Sequence, residues 1–283
     1  PSSAASDVYK RQDHYCSLDT TLSMAAKAYS AAKKIDTKTH PKKLLGIAVT
    51  ASLATNYSKK GDHKFFIAIQ THKYSHSFSY QFTKGELSRD QEEAIVTKYI
   101  IDALSGACGI NEGVQDQTPN LRIEKVKAEK SWIKLVDVKI EFISSSNQIP
   151  ELIFPGSFNP LHSGHAEMSE LAEKKTGLSP AYEICIQNAD KPPLSYHEIQ
   201  RTVLQFSQSY DWVLTKAGKF SDKAKLFPNS VFIIGADTLT RMLDEKFYLN
   251  RKDMLDQLDL FNSHNINFLV FGRKINKLSL IHI

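Results

Sequence analysis

Phe154–His165 reads FPGSFNPLHSGH. The apolar Leu152–Phe154 leads into it, and Gly164–Lys175 behind it carries Met168, Leu171 and Ala172 on one helical face before Gly177 stops the pattern. The string is therefore a turn between a strand and a helix that opens just after His162. A helix start presents unpaired N–H groups and the positive end of the macrodipole, so an anion is favoured there. Gly156 and Gly164 let the backbone approach a phosphate without an intervening side chain, and Gly156, Ser157 and Phe158 are expected to cradle one through their N–H groups. His162 and His165 stand three residues apart around the first turn, so both imidazoles can face one point. Two such donors suit a phosphoryl transition state, whose equatorial oxygens gain charge.

A bare H-x-G-H is a weak signal, and a turn of purely structural histidines is its plain alternative. The strand–loop–helix context gives it weight. No Cys, Asp or third His close by completes a ligand set, so no protein-held metal is expected at the pair. Neither a G-x-x-x-x-G-K-[ST] loop nor a G-x-G-x-x-G turn occurs in the chain.

Moving outward, strands and helices alternate. Tyr182–Gln187, Trp212–Leu214, Val231–Ile234 and Asn267–Phe271 read as strands. Ser195–Gln208 reads as a helix opened by a capping box of Ser195 with Glu198, and Met254–Asn262 as another. This alternation predicts an α/β fold, a Rossmann-like parallel sheet with helices on both faces. Asn188–Leu194 follows a strand and should share a sheet edge with His162 and Asp237. Lys191 there, and Arg201 on the next helix, are candidates to meet phosphate, against the plain reading of solvated surface cations.

The first half predicts a smaller α/β domain over residues 13–110. Thr21–Ile35 reads as a helix, Leu44–Leu53 as a buried strand, and His63–Thr71 with Ser75–Thr83 as a hairpin. Ser88 opens a second helix with Gln91 as its capping partner, and Val96, Ile100, Ala103, Leu104 and Ala107 form its apolar face. Asn111–Asn120 and Ser144–Pro150 are polar breaks. Between them, Trp132–Val136 and Val138–Ile143 look like an extra hairpin, so residues 111–150 are read as linker and the second domain as 151–277.

Composition excludes some classes. A net charge of +5, evenly spread, does not point to nucleic acid. No run of 18 apolar residues exists, which leaves no membrane-spanning helix. Three cysteines make no disulfide scaffold and fit a reducing, cytoplasmic compartment; Cys16, Cys108 and Cys185 read as ordinary small residues. Trp132 and Trp212 read as core. The ends have another reading. Ser2–Gln12 (SSAASDVYKRQ) and Leu278–Ile283 (LSLIHI) match in-frame translations of the two halves of a transposase sequencing adapter, so residues 1–12 and 278–283 are set aside as non-native. On that reading the open frame is cut at both ends and a targeting signal is not legible.

The string Gly156, Ser157, Phe158, Pro160, His162, Gly164, His165 resembles the G-S-F-x-P-x-H-x-G-H element of the (H/T)-x-G-H nucleotidyltransferase superfamily. The nearest branch is that of the nicotinate/nicotinamide mononucleotide adenylyltransferases. Val231–Leu239 (VFIIGADTL) and Phe268–Arg273 (FLVFGR) resemble two further family elements. The resemblance implies that the loop and both histidines bind nucleotide phosphates and that Mg²⁺ accompanies the nucleoside triphosphate. It also implies a small phosphorylated acceptor, with Asp237 as an acceptor-binding residue. Asp237 as the N-cap of a helix before Thr238 is the plain alternative. Two departures stand out: the family's Ser/Thr-rich segment ending in Arg would lie beyond Lys277, and Phe247 or Tyr248 replaces the Trp expected after G-A-D-x-L.

Asp13–Leu104 resembles the later part of the CinA C-terminal domain, the nicotinamide mononucleotide amidase module. Cys16-Ser17 before the Met24-Ala25 helix, the strand Gly46–Thr50 and the hairpin and helix after it carry that likeness. The family's glycine turn is here Thr50–Thr55 (TASLAT), and its catalytic serine segment has no counterpart. The reading is thus a nucleotidyltransferase using ATP, with a pyridine mononucleotide as acceptor. A CTP-dependent enzyme with pantetheine, sugar or alcohol phosphate stays open. So do a catalytically dead nucleotide-binding scaffold and an amidohydrolase working through the first domain. Oligomeric state is not legible.

Overall fold

The computed structural model describes residues 15–273 and 278–282, apart from 58, 116–117, 147, 189–190 and 207–208. The segment 1–12, set aside above, lies outside the described residues, as do Lys277 and Ile283. The chain divides into two compact units.

Residues up to Glu129, together with Pro192–Ile199, make the first unit. Helix α1 (Leu18–Ile35) starts at Ser17, whose hydroxyl accepts the Thr20 N–H. Strands β1 (Leu45–Ser52), β2 (Lys64–Thr71), β3 (Tyr74–Gln81) and β4 (Leu121–Lys127) form an antiparallel sheet in chain order. Helix α2 (Arg89–Ala107) opens with the capping box read from Ser88 and Gln91. Phe65, Ile67, Ile69 and Phe78 alternate onto one sheet face and bury against Val96, Tyr99 and Ala103 of α2. Leu22 and Ala25 of α1 pack on Ala48 and Ala68, from the other face. Glu92, in the first turn of α2, is fully buried and satisfied by the Ala54 N–H at 2.6 Å and His63 Nδ1 at 2.7 Å. Within this unit the Tyr196 hydroxyl donates to the His72 carbonyl at 3.0 Å, and His197 Nδ1 meets Ser75 Oγ at 2.7 Å.

The second unit holds residues 130–191 and 200–283. Trp132–Val136, expected as a strand, lies in helix α3 (Lys130–Val136), with Trp132 and Leu135 buried. Their spacing of three puts both on one helical stripe, which the strand-like composition concealed. Trp212, by contrast, is only half-buried. Strands β5 (Phe142–Ser144), β6 (Leu152–Pro155), β7 (Pro180–Cys185), β8 (Asp211–Thr215), β9 (Val231–Gly235), β10 (Asn267–Arg273) and β11 (Leu278–His282) form one sheet in the order β11-β10-β9-β6-β7-β8-β5. The middle five are parallel. After the antiparallel edge strand β5, the chain starts the parallel part at its centre with β6, builds outward through β7 and β8, then returns to lay β9 and β10 on the other side. The order therefore reverses between β6 and β9, and a crevice opens at the carboxyl ends of strands at such a switch point.

The helices of this unit are α4 (Ser163–Thr176), α5 (Tyr196–Leu204, from Gln200 on), α6 (Phe220–Leu226), α7 (Ala236–Met242) and α8 (Arg251–Ser263). Helices α6 and α7 were not legible, being only two turns each. Ile153, Val213, Phe232 and Val270 line up across the strands in the core. Glu183 of β7, 1% exposed, accepts from Lys223 Nζ of α6 at 2.6 Å and from the Thr215 hydroxyl. Removing one partner of such a buried pair costs about 3–5 kcal/mol, so it fixes α6 on the sheet. The set-aside segment 278–282 pairs antiparallel with β10. Among the described residues no helix is long and apolar enough to cross a membrane.

Candidate active site

The loop between β6 and α4 leaves the sheet at the switch point. The Gly156 N–H donates to the Glu183 carbonyl at 3.0 Å, extending the β6–β7 ladder by one residue. That bond corrects the expectation that Gly156 offers its N–H to phosphate. The glycine is needed for another reason: a Cβ here would strike the Phe158 ring at 2.5 Å. Phe158 has a second role, through its side chain. Its backbone is left-handed at φ 41°, and its ring, 2% exposed, sits among Phe154, His165, Tyr182 and Phe206. A non-glycine residue in that region costs about 1–3 kcal/mol, which burial of a whole phenyl ring, worth about 1.5–3 kcal/mol, offsets. The ring thus anchors the loop from the core side, and leaves its backbone role untouched.

His162 occupies the N-cap of α4 with extended backbone and an exposed side chain. The two imidazoles stack, with centroids 3.6 Å apart and planes 22° from parallel. Gly164 makes room for this stack, since a Cβ there would lie 3.3 Å from the His162 ring. His165 is half-buried, and burial, reinforced by the neighbouring His162, pushes its pKa down from 6.5 to about 4. Its Nδ1 accepts the His162 N–H at 3.4 Å. With Nδ1 as acceptor, the proton of the neutral ring is on Nε2, which becomes a donor. The helix start leaves the Ser163 and Gly164 N–H groups without acceptors inside α4. The neutral His165 ring, the His162 ring and backbone N–H groups at one helix start can hold phosphoryl oxygens.

Ser157 and Lys191 are brought together: Lys191 Nζ donates to Ser157 Oγ at 3.0 Å, and both are exposed beside the loop. Arg201 is exposed on α5, one turn before Gln205. Gln205 is the residue that sequence reasoning missed. Its side-chain amide donates to the Phe158 carbonyl at 3.0 Å and its oxygen accepts the Leu161 N–H at 2.8 Å, so one side chain grips both ends of the turn. Its partners are more than forty positions away, and no local pattern marks it. Asp237 is exposed in the first turn of α7, at the carboxyl end of β9. The N-cap of α7 is Gly235, which corrects the reading of Asp237 as the cap. An acidic residue in a first turn complements the helix dipole.

Next to these lies a cavity of about 430 Å³, formed by Asn188 after β7, residues 218–221 after β8, and residues of α7, α8 and the turn at Phe247–Tyr248. Among the described residues no group of three His, Cys, Asp or Glu could hold a metal ion. Magnesium accompanying a triphosphate needs no protein cage, because it is coordinated mainly by phosphate oxygens and water.

Residues 153–274 match the model of the cytidylyltransferase-like family, which places a domain of the H-x-G-H nucleotidyltransferase superfamily at this segment. Comparison with curated proteins and with solved structures returned no match.

Proposed function

We propose that the protein transfers a nucleotidyl group from ATP to a pyridine mononucleotide, nicotinate or nicotinamide mononucleotide, releasing pyrophosphate. The observation that carries this reading is the stacked His162–His165 pair at the start of α4, at the reversal of strand order within a cytidylyltransferase-like segment. An oxygen of the acceptor phosphate attacks the α-phosphorus, the bond from that phosphorus to the bridging oxygen breaks, and pyrophosphate leaves. No covalent enzyme intermediate is required; positioning and charge stabilisation do the work. His165 Nε2–H and His162 donate to the oxygens on which charge builds, joined by the Ser163 and Gly164 N–H groups. Lys191, held by Ser157, and Arg201 supply positive charge toward the phosphates, and Asp237 contacts the acceptor. Mg²⁺ held by the phosphate oxygens and water would supply charge neutralisation of the triphosphate.

The pyridine acceptor is supported by the resemblance of residues 13–110 to an amidase module that acts on nicotinamide mononucleotide. A CTP-dependent reaction is the second reading, favoured by the family that residues 153–274 match. The test is pyrophosphate release by the protein carrying this sequence, with ATP or CTP and a panel of acceptor phosphates. Turnover with ATP and a pyridine mononucleotide is expected. Turnover only with CTP selects the second reading, and none with any acceptor overturns the enzyme reading.

A further inference from the structure

The cavity beside the phosphate loop has an unusual lining. Phe220, Phe261 and Met242 give it apolar walls, and Tyr248 adds its ring, since its hydroxyl is committed to the Met242 carbonyl at 2.6 Å. The Ser221 hydroxyl donates to Gln257 Oε1 at 3.1 Å and the Gln257 amide donates to Asp253 at 3.0 Å, while Asn188 and Thr238 add neutral polar groups. Two cations remain, Lys219 and Arg241, and no Asp or Glu lines the space. The Arg241 guanidinium lies over the Phe247 ring, 4.9 Å from its centroid, and among the described residues it has no carboxylate partner. Asp237, one turn earlier on α7, is exposed and does not line the cavity. Lys219 is close enough to Asp253 to help hold that carboxyl below its usual range, so its charge is partly offset and Arg241 is the stronger anion receptor.

No residue of the loop at 156–165 lines this cavity. The reacting phosphate belongs at that loop, so what fills the cavity is the other end of the acceptor. Aromatic walls suit a planar ring, and a guanidinium placed over Phe247 suits a carboxylate, which it can meet with two parallel N–H donors. We propose that Arg241, assisted by Lys219, is a specificity-determining residue that reads a negative charge on the acceptor's ring. The preferred acceptor is then a mononucleotide whose base bears a carboxylate rather than a neutral amide or an unsubstituted edge. This inference rests on the nucleotidyl-transfer reading for the identity of the ligand, but it concerns binding and can fail separately.

The experiment measures calorimetric dissociation constants for two matched pairs: nicotinate against nicotinamide mononucleotide, and orotidine against uridine 5′-phosphate. Each carboxylated member should bind about 10-fold or more tightly than its neutral mate, as a charge-assisted pair predicts. Arg241 is exposed, so Arg241→Gln should fold and should bring the ratio to about 2-fold or less, while Arg241→Lys retains part of it. Equal affinities within each pair, no binding of any of the four, or an unchanged ratio in Arg241→Gln would overturn the proposal. Absence of pyrophosphate release alongside an intact, Arg241-dependent ratio would sink the transfer reading and leave this one standing.

Discussion

At the scale of single residues, His165 is set apart by its neutral ring. Ordinary histidines change charge near pH 6.5, whereas His165 is held to about 4 by burial and by the stacked His162. Neutral His165 donates through Nε2 without paying the desolvation of an imidazolium. His165→Ala should lower kcat by about 100-fold or more, as loss of a donor to transition-state charge does. In the unaltered protein His165 should contribute no acid limb to kcat between pH 8 and 5. A limb near 6.5 that vanishes in His165→Ala would show that the charged ring acts instead. The histidine pair was legible in the sequence from its spacing. The tautomer was not, because it depends on where the His162 N–H points.

At the scale of elements, the loop after β6 is set by contacts from two directions. Phe158 packs it from below with Phe154, Tyr182 and Phe206, and Gln205, just past the end of α5, grips it at Phe158 and Leu161. Gln205→Glu keeps the acceptor for the Leu161 N–H and loses the donor to Phe158; Gln205→Met loses both. A graded fall in kcat is expected, to roughly 10–100-fold in Gln205→Met, with a smaller change in KM, because misplacement of a reacting geometry acts mainly on the chemical step. Unchanged kcat in both variants would show that the loop holds its shape without the clamp. Helix α5 was read correctly from its capping box, but the clamp was not, since helix periodicity carries no information about a partner on another element. Helix α3 shows the opposite error: residues with strand propensity were helical because Trp132 and Leu135 had a core to face.

At the scale of the whole molecule, two histidines couple folding to pH. His76 of β3 is also held near 4, by burial first and then by Lys125 and His197. Unfolding returns both rings to their ordinary pKa, so between pH 6.5 and 4 the unfolded chain binds protons that the folded chain does not. The two histidines therefore contribute stability that rises with pH across that window and is lost on acidification through it, while Glu198, whose pKa burial raises, contributes with the opposite sign above its ordinary value. The urea midpoint should fall from pH 6.5 toward 4, and the fall should shrink when His76→Gln and His165→Gln are combined. A midpoint equal at pH 7 and pH 5 would contradict this. The sequence by itself determined the parallel α/β unit, its strand–loop–helix turn and the histidine pair, because those are written in periodicity and spacing along the chain. Only the tertiary structure decided the central place of β6, the assignment of residues 121–127 and 192–199 to the first unit, the Gln205 clamp and the charge of the cavity lining. Each of these joins residues from separate elements, and a contact between distant positions is fixed by packing, which no local pattern encodes.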